Sequence, residues 1–223
     1  RRYQNKDCFT LLLLFLFILG GTSIQVLFPF IHTTWSCVSL SLILYYAFFC
    51  ELKEKHDILT GLFNRRAYEY EIQRLESLGY GVIIFFDVDD FKKINDQFGH
   101  QYGDQCLSTI AGLILKSFSA IGFCYRIGGD EFGVLSDKAD EIDILNAISL
   151  FINNLNSSRE QDCNLPLVSM GYSIYHKSEG SIEQAISKAD AQLYRYKKLH
   201  KQETKEPGKT NCNAVSYTHL RAH

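Results

Sequence analysis

The chain has no basic excess. Its 23 Lys and Arg stand against 25 Asp and Glu, a formal charge of −2, which argues against nucleic acid as the partner. It also has no pair of cysteines at a metal-binding spacing. The seven, at 8, 37, 50, 106, 124, 163 and 212, are odd in number and scattered, so buried or free thiols are expected rather than a zinc site. There is no internal repeat and no low-complexity tract.

Two stretches lack charge altogether. From Cys8 to Phe28 ("CFTLLLLFLFILGGTSIQVLF") no residue is ionisable as a salt, and the length matches a helix crossing a hydrocarbon core of about 30 Å. A second run, Thr33 to Cys50, carries serines and threonines, yet its Trp and Tyr suit an interfacial belt. The expectation is a membrane region over residues 1–50, with spans at 8–28 and 33–50. A cleaved signal peptide is the other reading of the first run, since Arg1, Arg2 and Lys6 precede it. On either reading Lys53, Lys55, Arg65 and Arg66 keep the remainder on the cytoplasmic side, as a multi-pass protein of the inner membrane.

After a charged helical stalk at 51–57, the chain alternates helical and strand patterns. An amphipathic helix runs to Gly79, and "YGVIIFFDVDDF" (Tyr80 to Phe91) is a strand apolar on both faces that ends in Asp87, Asp89 and Asp90. A polar helical stretch from Phe91 to Phe118 follows, then a hairpin around "RIGGDEF", a helix, a strand and a last helix rich in lysine. The expected fold is an α/β (α+β) sandwich, one mostly antiparallel sheet flanked by helices. The globular domain is expected over 58–206 and a tail over 207–223.

Asp130 and Glu131 sit together on the hairpin tip, where like charges repel and serve no core. If the strand ending at Asp87 is the neighbour of that hairpin, carboxylates converge, and a cation must neutralise them. Hard oxygens with no His or Cys nearby favour Mg²⁺ or Mn²⁺ over zinc. Magnesium held by few carboxylates completes its shell with water and substrate phosphates, so a nucleoside triphosphate is expected.

"RIGGDEF" resembles the signature of the GGDEF family, the diguanylate cyclases, which join two GTP into cyclic di-GMP and release two pyrophosphates. The resemblance extends, in the family's order, through "DILTGLFNRR", "FDVDDFKKINDQFGHQYGDQCL" and "ADAQLYRYKK", over residues 51–202. It implies a nucleotide-cyclase, polymerase-palm-like sheet and a homodimer, because each protomer holds one GTP. It implies that Asp87, the Val88 carbonyl, Asp130 and Glu131 bind the metal, and that Asp130 takes the proton of the attacking ribose 3′-hydroxyl. Lys92 matches the lysine that stabilises phosphate charge in the transition state. Asn95 and Asp104 match the guanine-reading pair, Phe91 and His100 further substrate contacts, and Lys197 and Lys201 phosphate-binding cations.

Two departures stand out. The family's product-inhibition site, "RxxD", is replaced by "SAIG" (Ser119 to Gly122), so no feedback through that site is expected. In "KKLHKQ", His200 and Gln202 stand where the family commonly has glycine and asparagine, which is expected to weaken triphosphate binding. A non-catalytic receptor for GTP or cyclic di-GMP is the alternative within the family, and another nucleotide cyclase or polymerase-like enzyme is a third reading. The chain starts with Arg, so upstream residues are expected to be missing, and "VSYTHLRAH" (215–223) resembles read-through of a sequencing adaptor.

Overall fold

The computed structural model describes residues 2–28, 30, 33–53 and 55–203, with side chains described for 12–28, 30, 33–47 and 55–200. The expected tail at 207–223 lies outside them, as does the Lys201 side chain. The chain divides into two compact units, residues 1–55 and 56–223.

The first unit is a pair of helices, α1 (Arg2–Leu27) and α2 (Thr34–Lys53). Their approach is close at Gly21, where a Cβ would lie 2.4 Å from Cys37 Sγ. Thr33 Oγ1 donates to Gly21 O over 2.8 Å, and the Thr34 N–H donates to Gln25 Oε1 over 3.0 Å. Among the described residues no helix is long and apolar enough to cross a membrane. This corrects the expectation of two spans and of a multi-pass inner-membrane location. In α1 the described apolar run Leu12–Leu19 gives way to Gly20, Gly21, Thr22 and Ser23, whose two hydroxyls turn back onto Leu19 O. In α2 Ser36, Ser39 and Ser41 interrupt the apolar face. A crossing needs about 20 predominantly apolar residues.

The second unit is built on β1 (Tyr80–Val88), entered through α3 (Arg65–Leu78). Asn64 caps α3 by accepting from the Ala67 N–H, and Gly79 ends it in the left-handed conformation at φ 76°. The near-continuous apolar run of β1 is buried on both faces. Val82, Ile84, Phe86 and Val88 join one core with Leu107, Ile110, Ile114, Ile148 and Phe151. Ile83 joins the other with Leu75, Leu135, Ile182 and Ala189. Those cores are covered by α5 (His100–Phe118) and α6 (Glu141–Gln161) on one side, and by α3 and α7 (Ile182–Glu203) on the other. β2 (Phe123–Arg126), β3 (Glu131–Ser136) and β4 (Val168–His176) complete a four-stranded sheet in the order β2-β3-β1-β4. All its pairs are antiparallel, so the expected α+β sandwich with its flanked antiparallel sheet holds.

Three details depart from the sequence patterns. The single helical stretch read from Phe91 breaks into α4 (Phe91–Phe98) and α5, because Gly99 takes φ 85°, which L side chains rarely adopt. Among the described cysteines 37, 106 and 124 are free thiols, but Cys163 is disulfide-bonded. And α7 lies so close on β4 that a Cβ on Gly171 would come 2.2 Å from Ala189 O and 2.4 Å from Leu193 N.

Candidate functional site

The register of β1 decides which carboxylates meet. Asp87 lies opposite Glu131 of β3 on one side and opposite Ser169 of β4 on the other. One residue on, the Val88 N–H donates to Asp130 O over 3.1 Å, which holds the hairpin tip against the end of β1. The tip is closed by the N–H groups of Ile127 and Gly128, both donating to Glu131 O. Glu131 folds its carboxylate back over Gly128, where a Cβ would lie 2.6 Å from Oε2, so a side chain at 128 would displace it.

Asp87 is only 8% exposed. Lys197, carried in by α7, donates to Asp87 Oδ1 over 2.7 Å. Burial pushes the Asp87 carboxyl above its ordinary pKa. The Lys197 hydrogen bond and charge pull it back, and the fields of Asp130 and Asp89 push it up again. Burial also works against the Lys197 charge, but Asp87, Asp89 and Asp130 together hold its amine above the ordinary value. The two partners therefore point opposite ways. The carboxylate is the more deeply covered, 12% exposed at its side chain against 29% for the lysine, so its desolvation decides and Asp87 is a charge kept at a cost.

Behind this pair lies a clamp that sequence reasoning missed. Ser169 Oγ donates to the Asp89 carboxylate at 2.8 and 2.9 Å from its two oxygens. His200 Nδ1 stands 2.6 Å from Asp89 Oδ2, so that nitrogen carries a proton and donates. His200 is buried; it therefore anchors the end of α7 to the segment after β1, one helical turn from Lys197. The available signal was the unusual histidine in "KKLHKQ". Next to the clamp Asp90 holds φ 54°, the only positive φ outside glycine among the described residues, and turns the chain into α4.

The remaining expected site residues lie on α4 and α5. Lys92, His100 and Asp104 are exposed, and Phe91 and Asn95 are partly buried. The side chains of Asn95 and Phe91 both rest on Gly103, the neighbour of Asp104. The structure thus brings Asp87, Asp130, Glu131 and Lys197 to the strand ends and gathers Phe91, Asn95 and Asp104 where α4 meets α5.

A second support reaches the hairpin from the start of the unit. Arg126 donates from Nη1 to Asp57 Oδ1 over 3.0 Å and from Nη2 to Gly129 O over 2.9 Å, tying the "DILT" turn to the tip. Burial opposes the Asp57 charge, but the Thr60 donors and then Arg126 outweigh it and hold the carboxyl below its ordinary value. A depressed carboxyl contributes stability above its unfolded pKa and loses it as pH falls through the folded one. Asp57→Asn is therefore expected to lower the melting temperature at pH 7 by a few degrees, from about 1 kcal/mol of charge-assisted bonding, with the difference from wild type closing towards pH 3. Parallel thermal melts at the two pH values check this, and an equal gap at both would refute the charge argument.

Among the described residues no group of three or more His, Cys, Asp or Glu stands ready to hold a metal ion. The chemistry of the donors nonetheless fits a hard divalent cation. Asp87 is a buried carboxylate in the field of Asp130 and Asp89, with the Lys197 ammonium as its hydrogen-bonded counter-charge.

Comparison with known proteins identifies the family. Residues 54–203 match the family described as "Diguanylate cyclase, GGDEF domain", and the chain belongs to that family. It is 34% identical over 150 residues to "Diguanylate cyclase VdcA" of Vibrio cholerae serotype O1, covering 64% of this chain and 44% of that protein. It is 35% identical over 159 residues to "Diguanylate cyclase DgcP" of Escherichia coli K12, covering 66% of this chain and 46% of that protein. The chain thus spans less than half the length of these relatives. The coiled coil and GGDEF domain of DgcB from Caulobacter crescentus, solved in complex with c-di-GMP, superposes with a TM-score of 0.65 at 25% identity, over 74% of this chain and 91% of that one.

Proposed function

We propose that this chain is a magnesium- or manganese-dependent diguanylate cyclase that condenses two GTP into cyclic di-GMP and two pyrophosphates, working as a homodimer. The observation that carries the reading is the meeting of Asp87, Asp130 and Glu131 at the end of β1, with Lys197 among them, in a chain of this family.

Asp87 and Asp130, with the Val88 carbonyl and Glu131, would hold the metal ion, which supplies neutralisation of triphosphate charge. Asp130 accepts the proton of the ribose 3′-hydroxyl as that oxygen attacks the α-phosphorus of the partner's GTP. The P–O bond to pyrophosphate breaks, and Lys92, Lys197 and Lys201 stabilise the negative charge on the phosphates. Lys197 has to leave Asp87 for this, and its long stem permits the swing. Asn95 and Asp104 read the guanine: a carboxylate accepts from N1–H and the 2-amino group, which adenine does not offer. Phe91 and His100 complete the nucleotide contacts. Each site holds one GTP, so two protomers face each other to close the ring.

The test is to incubate the full chain with GTP and Mg²⁺ and detect cyclic di-GMP by mass, with ATP in parallel. Cyclic di-GMP from GTP alone is the expected result. A folded chain that binds GTP and forms no product would favour the receptor reading.

A further inference from the structure

We infer that Gly103 is a specificity-determining position for the guanine base, because its missing side chain seats the Asn95 amide. This rests on the proposed role of Asn95 and Asp104 in reading guanine. Gly103 lies inside α5, where glycine is the poorest ordinary helix former and alanine the best. Its backbone needs no special freedom, since its φ lies outside the positive range in which Gly61, Gly79, Gly99 and Gly180 fall. What it supplies is space. A Cβ there would come 2.0 Å from Asn95 Oδ1, 3.0 Å from Asn95 Cγ and 3.2 Å from Phe91 Cζ.

All three neighbours are side-chain atoms of α4, and two belong to the end of a rotatable side chain, so the fold can yield while the amide cannot stay. Gly103 is also next in sequence to Asp104, the carboxylate that the proposed function pairs with Asn95 in reading the base. Gly112 supplies the contrast within the same helix: a Cβ there meets nothing within 4 Å. The two glycines of this helix therefore differ in what a side chain would meet: Asn95 and Phe91 at the buried Gly103, open space at the exposed Gly112.

The experiment uses the full chain and an α,β-methylene analogue of GTP, whose α–β bridge blocks loss of pyrophosphate, so that binding is read without turnover. Gly103→Ala, Gly112→Ala, Asn95→Ala and the Gly103→Ala/Asn95→Ala pair are titrated by calorimetry and melted. Gly103→Ala is expected to melt no lower than wild type and to bind the analogue about tenfold more weakly, the scale of a misplaced hydrogen bond. Its cost should vanish in the Asn95→Ala background, a coupling that a merely structural defect would not produce. Gly112→Ala should raise the melting temperature and leave binding unchanged. Wild-type affinity in Gly103→Ala, the same loss with and without Asn95, or a lower melting temperature for Gly103→Ala would each overturn the inference. If wild type binds the analogue but forms no cyclic di-GMP from GTP, the cyclase reading falls while the Gly103 results still decide this one. If wild type binds no analogue, both fall.

Discussion

Asp87→Asn is expected to lower cyclic di-GMP formation by about a thousandfold while leaving the metal-free protein melting no lower than wild type. The activity side follows from losing a charged oxygen at the centre of the site: several kcal/mol of charge stabilisation disappear, and each 1.36 kcal/mol is about tenfold in rate. The stability side follows from burial. Asp87 is a desolvated carboxylate pressed by Asp130 and Asp89, and asparagine keeps its shape without its charge. Removing one member of a buried pair usually strands the other. Here the lysine is 29% exposed at its side chain and can turn to water. Asp130→Ala serves as the companion variant, with a comparable loss of product expected if Asp130 is the proton acceptor of the proposed mechanism. Product yield by mass and thermal melts without metal check both sides. A marked fall in melting temperature for Asp87→Asn would mean that the Lys197 pair is a net support of the fold.

Gly171→Val is expected to destabilise the second unit by about 3 kcal/mol, or some 6–12 °C in melting temperature. The obstacle is backbone rather than side chain: the first carbon added meets Ala189 O at 2.2 Å and Leu193 N at 2.4 Å. No rotamer avoids those atoms, so α7 must move off β4. Lys197 lies one turn beyond Leu193 on that helix and His200 nearly two, so the same shift carries both away from Asp87 and Asp89. Weaker binding of the GTP analogue should accompany the lower melting temperature. An unchanged melt would show that α7 does not sit as tightly on β4 as the structure has it.

Much of the second unit was legible in the chain. The run from Tyr80 to Val88 reads as a two-face-buried strand because nine residues with one carboxylate near the end fit nothing else of that length, and Gly79 marks the end of the helix before it. The tip carboxylates were visible because Asp130 and Glu131 cannot belong to a core. The break between α4 and α5 was not legible, since Gly99 within a polar helical pattern carries no local sign that it adopts φ 85°. The His200 clamp was hidden for another reason: its partners Asp89 and Ser169 are 111 and 31 residues away, and no local pattern joins them. The apolar N-terminal runs mislead, because lack of charge is not spanning length: Gly20 to Ser23 and the serines of α2 cut the described apolar faces.

The sequence by itself determined the element types, the buried strand, the acidic turn and the family to which they belong, because periodicity, turn chemistry and an ordered set of motifs are properties of neighbours along the chain. Only the tertiary structure decided that β1 lies between β3 and β4, which sets Asp87 opposite Glu131 and Ser169, that Lys197 reaches Asp87, that Asn95 and Phe91 lie against Gly103, and that Gly171 lies against the backbone of α7. Those are contacts between residues far apart in the chain, and their distances come from how helices pack on a sheet, which no local pattern encodes.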